Sequence, residues 1–166
     1  MSWLCALYIE VTLSVDHEIA AWQLAFSRGV PFAFRGVGVS MLPTLRPGDE
    51  AMFAPLVSVP CVGDVLLYRA GDALVAHRLL AHAQDGRLRL RGDYMAADDP
   101  LVCADAILGK LVTVRRRGRV LRADRGPLRF YARAWPELHR RAPLAARAIQ
   151  LCTRVAARLT LLGGQG

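Results

Sequence analysis

Three separated segments of the chain carry the residue types of a serine nucleophile system. Segment 36–49 contains Ser40, segment 75–78 contains His77, and segment 91–100 contains a cluster of aspartates. A serine hydroxyl is a weak nucleophile until a neighbouring base takes its proton, and a carboxylate can orient the imidazole that does so. The order serine, histidine, aspartate therefore predicts acyl-transfer chemistry, provided that folding brings the three segments together.

Four short sequence boxes, in their order and spacing, resemble the signal peptidase I family. The boxes are residues 38–49 (GVSMLPTLRPGD), 63–69 (GDVLLYR), 75–78 (VAHR), and 92–110, which begins with Gly-Asp and ends with Ile-Leu-Gly-Lys. The similarity covers residues 32–114. Typical bacterial members use a lysine base, whereas archaeal and endoplasmic-reticulum members use a histidine, and His77 is similar to the histidine type. The resemblance implies a serine endopeptidase that cleaves a precursor or leader peptide after small residues.

In this resemblance Ser40 is the nucleophile and His77 is the general base. A lysine, with a reference pKa of about 10.4, must be desolvated to act as a base, whereas a histidine near 6.5 needs only an orienting hydrogen bond. Strand alternation predicts that His77 shares a face with Val75 and Leu79, where it would be sheltered. The simpler alternative for Ser40 is a turn serine, and His82 is a weaker rival base.

The acid that orients His77 is expected among three aspartates. In the histidine-type members the acid aligns with the second of a pair, which is Asp99 in this chain. Asp93 matches a position that shapes the turn or supports the site, and Asp98 is an alternative acid. The other interpretation of the pair is an ordinary acidic turn before Pro100.

The resemblance also implies an oxyanion hole made of backbone N–H groups, mainly that of Ser40. Gly38, Met41 and Pro43 are the further residues expected at the oxyanion or substrate site. Many members carry a serine two residues before the nucleophile, but this chain has Gly38 there. A missing oxyanion donor costs on the order of 10²-fold in turnover, so either the activity is modest or backbone groups suffice.

Short apolar runs separated by Gly, Pro and Asp predict a mainly β fold with an antiparallel core. A helix over 16–27, ended by Gly29, precedes this core, and two basic helices over 126–138 and 143–162 follow it. Turns at 69–72 and 84–86 predict two hairpins. The expected domains are a lead-in over 1–31, a catalytic β domain over 32–122 and a basic helical tail over 123–166. The predicted strands are 32–39, 50–55, 64–68, 73–81, 87–91, 107–114 and 120–122.

Charge divides the chain into two parts. Of 22 Lys and Arg residues, 13 lie between residue 113 and the end with only two acidic residues, so this part carries +11 and residues 1–112 carry −3. The basic amphipathic pattern over 143–162 suits either peripheral contact with an anionic membrane or docking on the protein's own core. No apolar run reaches the roughly 18–20 residues of a membrane span. We therefore expect neither a secretory signal nor a span, and a cytoplasmic or membrane-peripheral location.

Two other functions fit parts of the pattern. A self-cleaving repressor peptidase would have a related core, but it uses a lysine base and cuts an Ala-Gly or Cys-Gly bond upstream of the serine, and neither pair precedes Ser40. A non-catalytic β module could bind an anionic membrane or nucleic acid through its arginines, although we do not expect a nucleic-acid partner.

The four cysteines are widely spaced, which argues against a zinc or CxxC site, and we expect no cofactor or metal.

Overall fold

The computed structural model describes residues 15–35, 38–141, 148, 151 and 152. It contains two helices around a β core, which confirms the predicted fold class. The start of the predicted lead-in, and all but three residues of the predicted helix over 143–162, lie outside the described residues. The elements are α1(Val15–Ser27), β1(Phe32–Phe34), β2(Glu50–Ala54), β3(Val65–Ala70), β4(Ala73–His82), β5(Leu88–Arg91), a 3-10 turn (Ala104–Ala106), β6(Ile107–Arg116), β7(Arg119–Arg122) and α2(Gly126–Arg141).

The seven strands form one antiparallel sheet in the order β1-β2-β6-β3-β4-β5, with β7 paired to β6. Six strands lie within two residues of their predicted ends. The exception is β1, which ends at Phe34 rather than at residue 39. Its last partner is Ala51, and β2 begins only one residue earlier, so β2 offers almost no further backbone for β1 to pair with.

Both predicted hairpins are present, and a third was missed. Gly71 lies in the tight turn between β3 and β4, and Gly86 lies in the turn between β4 and β5, both with positive φ. The third turn joins β6 to β7 through Arg117 and Gly118, whose φ values are 47° and 76°. Two successive left-handed residues suit the twist of a hairpin, but an arginine is not the residue that signals such a turn.

Strand β4 separates two apolar clusters. The larger cluster contains Trp22 of α1, which is 1% exposed and packs its ring 4.4 Å from that of Phe32. The smaller cluster contains Leu66 and Leu79. Because successive side chains of a strand point to opposite faces, His77 lies on the face of the smaller cluster, as alternation predicted, and Arg78 lies on the other face.

Helix α2 packs on the β core with its first three turns. Leu128 and Trp135 are buried, and the backbone of Ala132 lies so close to Gly63 that a Cβ there would be 2.5 Å from the Ala132 carbonyl oxygen. Gly63 also has a φ of 99°, so this contact requires glycine. The helix includes Pro136 and ends at Arg141, three residues beyond its predicted end. No helix in the described part of the chain is long and apolar enough to cross a bilayer.

Candidate active site

His77 and Asp99 form the central contact of the candidate site. The imidazole is 7% exposed, and its Nδ1 lies 2.7 Å from Asp99 Oδ2. Asp99 belongs to the segment after β5, and its backbone N–H donates to the Leu90 carbonyl at 2.9 Å. The segment therefore returns along β5 and brings the carboxylate to β4. With Nδ1–H donating to Asp99, Nε2 is the ring nitrogen that can accept a proton.

Nε2 faces the segment that carries Ser40, and Gly92 lies between them. A Cβ at Gly92 would lie 3.0 Å from His77 Nε2 and 2.6 Å from the Ser40 carbonyl oxygen. That carbonyl also accepts the backbone N–H of Tyr94 at 2.8 Å. Both groups are therefore in contact with the same backbone position, and a side chain at residue 92 would force one of them away.

The Ser40 hydroxyl makes no hydrogen bond to His77 in the described part of the chain. Ser40 lies in the turns over 39–45, in which the Leu42 N–H donates to the Val39 carbonyl at 3.1 Å. In many enzymes the bond between nucleophile and base tightens only when substrate is bound. The structure thus brings the three predicted segments together, without a hydrogen bond between Ser40 Oγ and His77.

The other two aspartates have different partners. Asp98 lies 3.4 Å from Arg91 and 3.8 Å from Arg89, in a half-exposed position. Asp93 is 1% exposed and lies with Arg78 on the opposite face of β4. Among the described residues Asp99 is the carboxylate that contacts His77. The rival His82 is exposed, with its Nε2 3.0 Å from the Pro60 carbonyl oxygen.

A buried ion pair connects the same three segments behind the site. Arg78 donates to both carboxylate oxygens of Asp93 at 2.7 Å, to Thr44 Oγ1 at 2.8 Å and to the Gly63 carbonyl at 2.6 Å. Burial acts to lower the pKa of Arg78, but the charge and hydrogen bonds of Asp93 outweigh it and raise that pKa. The guanidinium also lies 5.4 Å from the ring centre of Tyr131 on α2. Arg78 therefore stays charged and stays paired.

Arg116 holds the far end of the Ser40 segment. Its guanidinium donates to the Asp49 carboxylate at 2.6 and 2.9 Å and to the Thr44 carbonyl at 2.9 Å. Asp49 is 5% exposed and also accepts the backbone N–H of Arg46 at 2.8 Å. These bonds anchor the Ser40 segment to β6 at Thr44 and Asp49.

A cleft of about 260 Å³ opens beside Ser40. Gly38 and Met41, both predicted at the oxyanion or substrate site, line it, and the Met41 side chain continues into the larger apolar cluster. Pro43 does not line it; its carbonyl lies 3.5 Å from Arg116, and the Leu42–Pro43 peptide is cis. The full lining is Phe34, Gly38, Ser40, Met41, Leu45, Arg46, Asp49, Ala51, Leu74, Val75 and Ala76.

Sequence reasoning gave Asp93 a supporting role but missed Arg78, Thr44 and Tyr68, which help to hold the site together. Arg78 follows His77 in the sequence, and the opposite charges of Arg78 and Asp93 were a signal that the two segments meet. Thr44 and Tyr68 gave no such signal. Tyr68 donates its hydroxyl to Asp99 Oδ2 at 2.9 Å, although its sequence setting is that of an ordinary strand residue.

No protein-family model matches this sequence, and no curated protein matches it either.

We predict that Asp93→Asn lowers the free energy of unfolding by about 3–5 kcal/mol, because it leaves the buried Arg78 charge without its counter-charge. Urea unfolding followed by tryptophan fluorescence measures the change. Asp85→Asn is the matched control, since Asp85 pairs with Arg87 on the surface and its loss should leave stability unchanged within error. Equal stabilities for the two variants would contradict the structural role of the Arg78–Asp93 pair.

Proposed function

We propose that this protein is a serine endopeptidase that resembles signal peptidase I of the histidine-base type and cleaves a precursor or leader peptide after small residues. The observation that carries the proposal is the placement of His77. One ring nitrogen is bound to the Asp99 carboxylate, and the other lies against Gly92 beside the Ser40 segment. A buried imidazole oriented in this way suits a general base.

The reaction would proceed through an acyl-enzyme on Ser40. As its Oγ attacks the scissile carbonyl carbon, His77 Nε2 accepts the hydroxyl proton. The tetrahedral intermediate then collapses, the C–N bond breaks, and the same proton passes to the leaving amine. A water, deprotonated by His77, attacks the ester carbonyl; the bond between the acyl carbon and Ser40 Oγ then breaks, and His77 returns the proton to Oγ as the peptide acid leaves. Asp99 would stabilise the imidazolium that forms in each half-reaction.

The first half of β4 supports binding of an extended peptide. Strand β3 pairs with β4 along its length to residue 78, whereas β5 pairs only with the half from Arg78 to His82. Residues 74–76 thus have a sheet partner on one side only among the described residues, and they line the cleft next to Ser40. A peptide added as a strand along this edge would pass Ser40 with its side chains in a small apolar cleft. This arrangement supports a preference for small residues at the cleavage point.

The oxyanion would be bound by backbone donors. Within the described ranges, the N–H groups of Ser40 and Met41 donate to no protein acceptor. Gly38 lies at the cleft with open space around its Cβ position, so this chain leaves empty the place where many signal peptidases carry a serine. The proposal therefore includes an oxyanion hole made of the backbone alone.

The basic tail supports a peripheral location at an anionic membrane surface. The amphipathic segment over 143–162 would contact anionic lipid, at about 1 kcal/mol for each basic residue near the surface. Its three described residues do not test this contact, which stays a prediction from the sequence. A peripheral position would bring the peptidase to membrane-bound precursors.

We predict that a fluorophosphonate probe labels Ser40 and that Ser40→Ala and His77→Ala abolish labelling, because the first removes the nucleophile and the second its base. Intact mass spectrometry and peptide mapping locate the adduct. Ser58→Ala and His82→Ala are matched controls on exposed positions and should label like the wild type. Undiminished labelling of either site variant would refute the proposed chemistry.

We predict that Gly38→Ser accelerates labelling of Ser40 by about 10-fold or more, because its hydroxyl adds a donor to the oxyanion site, where one donor is worth 10²–10³. The measurement is the second-order rate constant with the same probe. Gly38→Ala fills the same space without a donor and should not accelerate the reaction. Equal rates for the serine and alanine variants would exclude an oxyanion site next to residue 38.

A further inference from the structure

We propose that Tyr68 is a positioning residue for the catalytic base, acting through a second hydrogen bond to the carboxylate that orients His77. The Tyr68 hydroxyl donates to Asp99 Oδ2 at 2.9 Å, and His77 Nδ1 lies 2.7 Å from the same oxygen. The three side chains form a chain from β3 through the segment after β5 to β4. The catalytic consequence rests on the proposed function, but the hydrogen-bonded chain does not.

The position of the Tyr68 hydroxyl is set by the sheet. Leu66 pairs with His77 across β3 and β4, and Tyr68, two residues further along β3, lies on the same face. The rings of Tyr68 and His77 are 6.3 Å apart between centres and inclined by 61°. Tyr68 is 3% exposed within the smaller apolar cluster, so its ring has little freedom.

The Asp99 carboxylate depends on a second hydrogen-bond donor to hold its orientation more than the His77 imidazole does. It lies outside the regular strands, its side chain is 18% exposed, and its backbone is anchored by one bond to Leu90. A carboxylate in this position can rotate towards water and release the imidazole. Two donors from different strands, both on Oδ2, oppose that rotation because any turn of the carboxylate weakens one of them.

The chemistry of Tyr68 suits a permanent donor. Burial, and then the charge of Asp99 and the hydrogen bond to it, raise the pKa of Tyr68 far above its usual value. The hydroxyl therefore keeps its proton at every pH at which the enzyme would work. It can only donate to Asp99, and it leaves the remaining lone pairs of the carboxylate for the Nδ1–H of His77.

A second buried tyrosine supplies the matched control. Tyr131 lies on the opposite face of β4, against Arg78, and its hydroxyl is buried without a hydrogen-bond partner among the described residues. Tyr68→Phe and Tyr131→Phe make the same chemical change in the same protein. They differ in whether the lost hydroxyl contacts Asp99.

The first test uses the full-length protein labelled with ¹⁵N-histidine and needs no activity. In the wild type we expect a low-field proton resonance from His77 Nδ1–H, assigned by its loss in His77→Ala. Tyr68→Phe should shift this resonance upfield and speed its exchange with water, and Tyr131→Phe should leave it unchanged. An identical resonance in Tyr68→Phe and the wild type would overturn the proposal, as would equal changes in the two variants.

The second test measures the effect on the reaction. We expect Tyr68→Phe to lower the maximal rate of fluorophosphonate labelling by about 10-fold, because it removes one hydrogen bond to a charged group. The probe concentration that gives half of the maximal rate should not change. In the background of Asp99→Asn the same substitution should cost nothing further, because Tyr68 acts through Asp99. Additive losses would overturn the proposal. If the wild type is not labelled at all, the proposed function fails and the resonance still decides the role of Tyr68.

Discussion

The buried pair of Arg78 and Asp93 is the constraint on which the site geometry depends. A guanidinium that is 1% exposed must keep all its partners, because an unpaired charge in that position costs several kcal/mol. Two of its partners are Asp93 and Thr44, separated from it by 15 and 34 residues in the sequence. Because Thr44, Arg78 and Asp93 each belong to one of the three segments, this network joins the segments of Ser40, His77 and Asp99 independently of the contacts that those three residues make.

The alternation of β4 allows one strand to serve both purposes. Arg78 and its network occupy one face, where α2 covers them with Tyr131. His77 occupies the other face, among the leucines of the smaller cluster and within reach of Asp99. The buried charge of Arg78 and the candidate base His77 are thus adjacent in sequence but lie on opposite faces of the sheet. Gly92 then lets the chain pass between Nε2 and the Ser40 carbonyl, a passage too narrow for any side chain.

The sequence predicted the strands well because each is a short apolar run closed by a turn residue, which is local information. The prediction was wrong where the local structure depends on residues that are distant in the sequence. The end of β1 depends on where β2 begins, and the turn at Arg117 and Gly118 depends on the pairing of β6 with β7. The last three residues of α2, beyond its predicted end at residue 138, likewise have no local signal. Ser40, His77 and Asp99 were found through the sequence boxes, whereas Tyr68 and Thr44 act through contacts that only the folded chain reveals.

The proposed chemistry requires that His77 Nε2 accept the proton of the Ser40 hydroxyl. A crystal structure of the phosphonylated protein tests it most directly. We expect continuous density from the phosphorus to Ser40 Oγ, His77 Nε2 within about 2.6–3.2 Å of that oxygen, and the Asp99 contact to Nδ1 retained. A bond from the phosphorus to another residue, or an imidazole turned away from Ser40 Oγ in the adduct, would contradict the account.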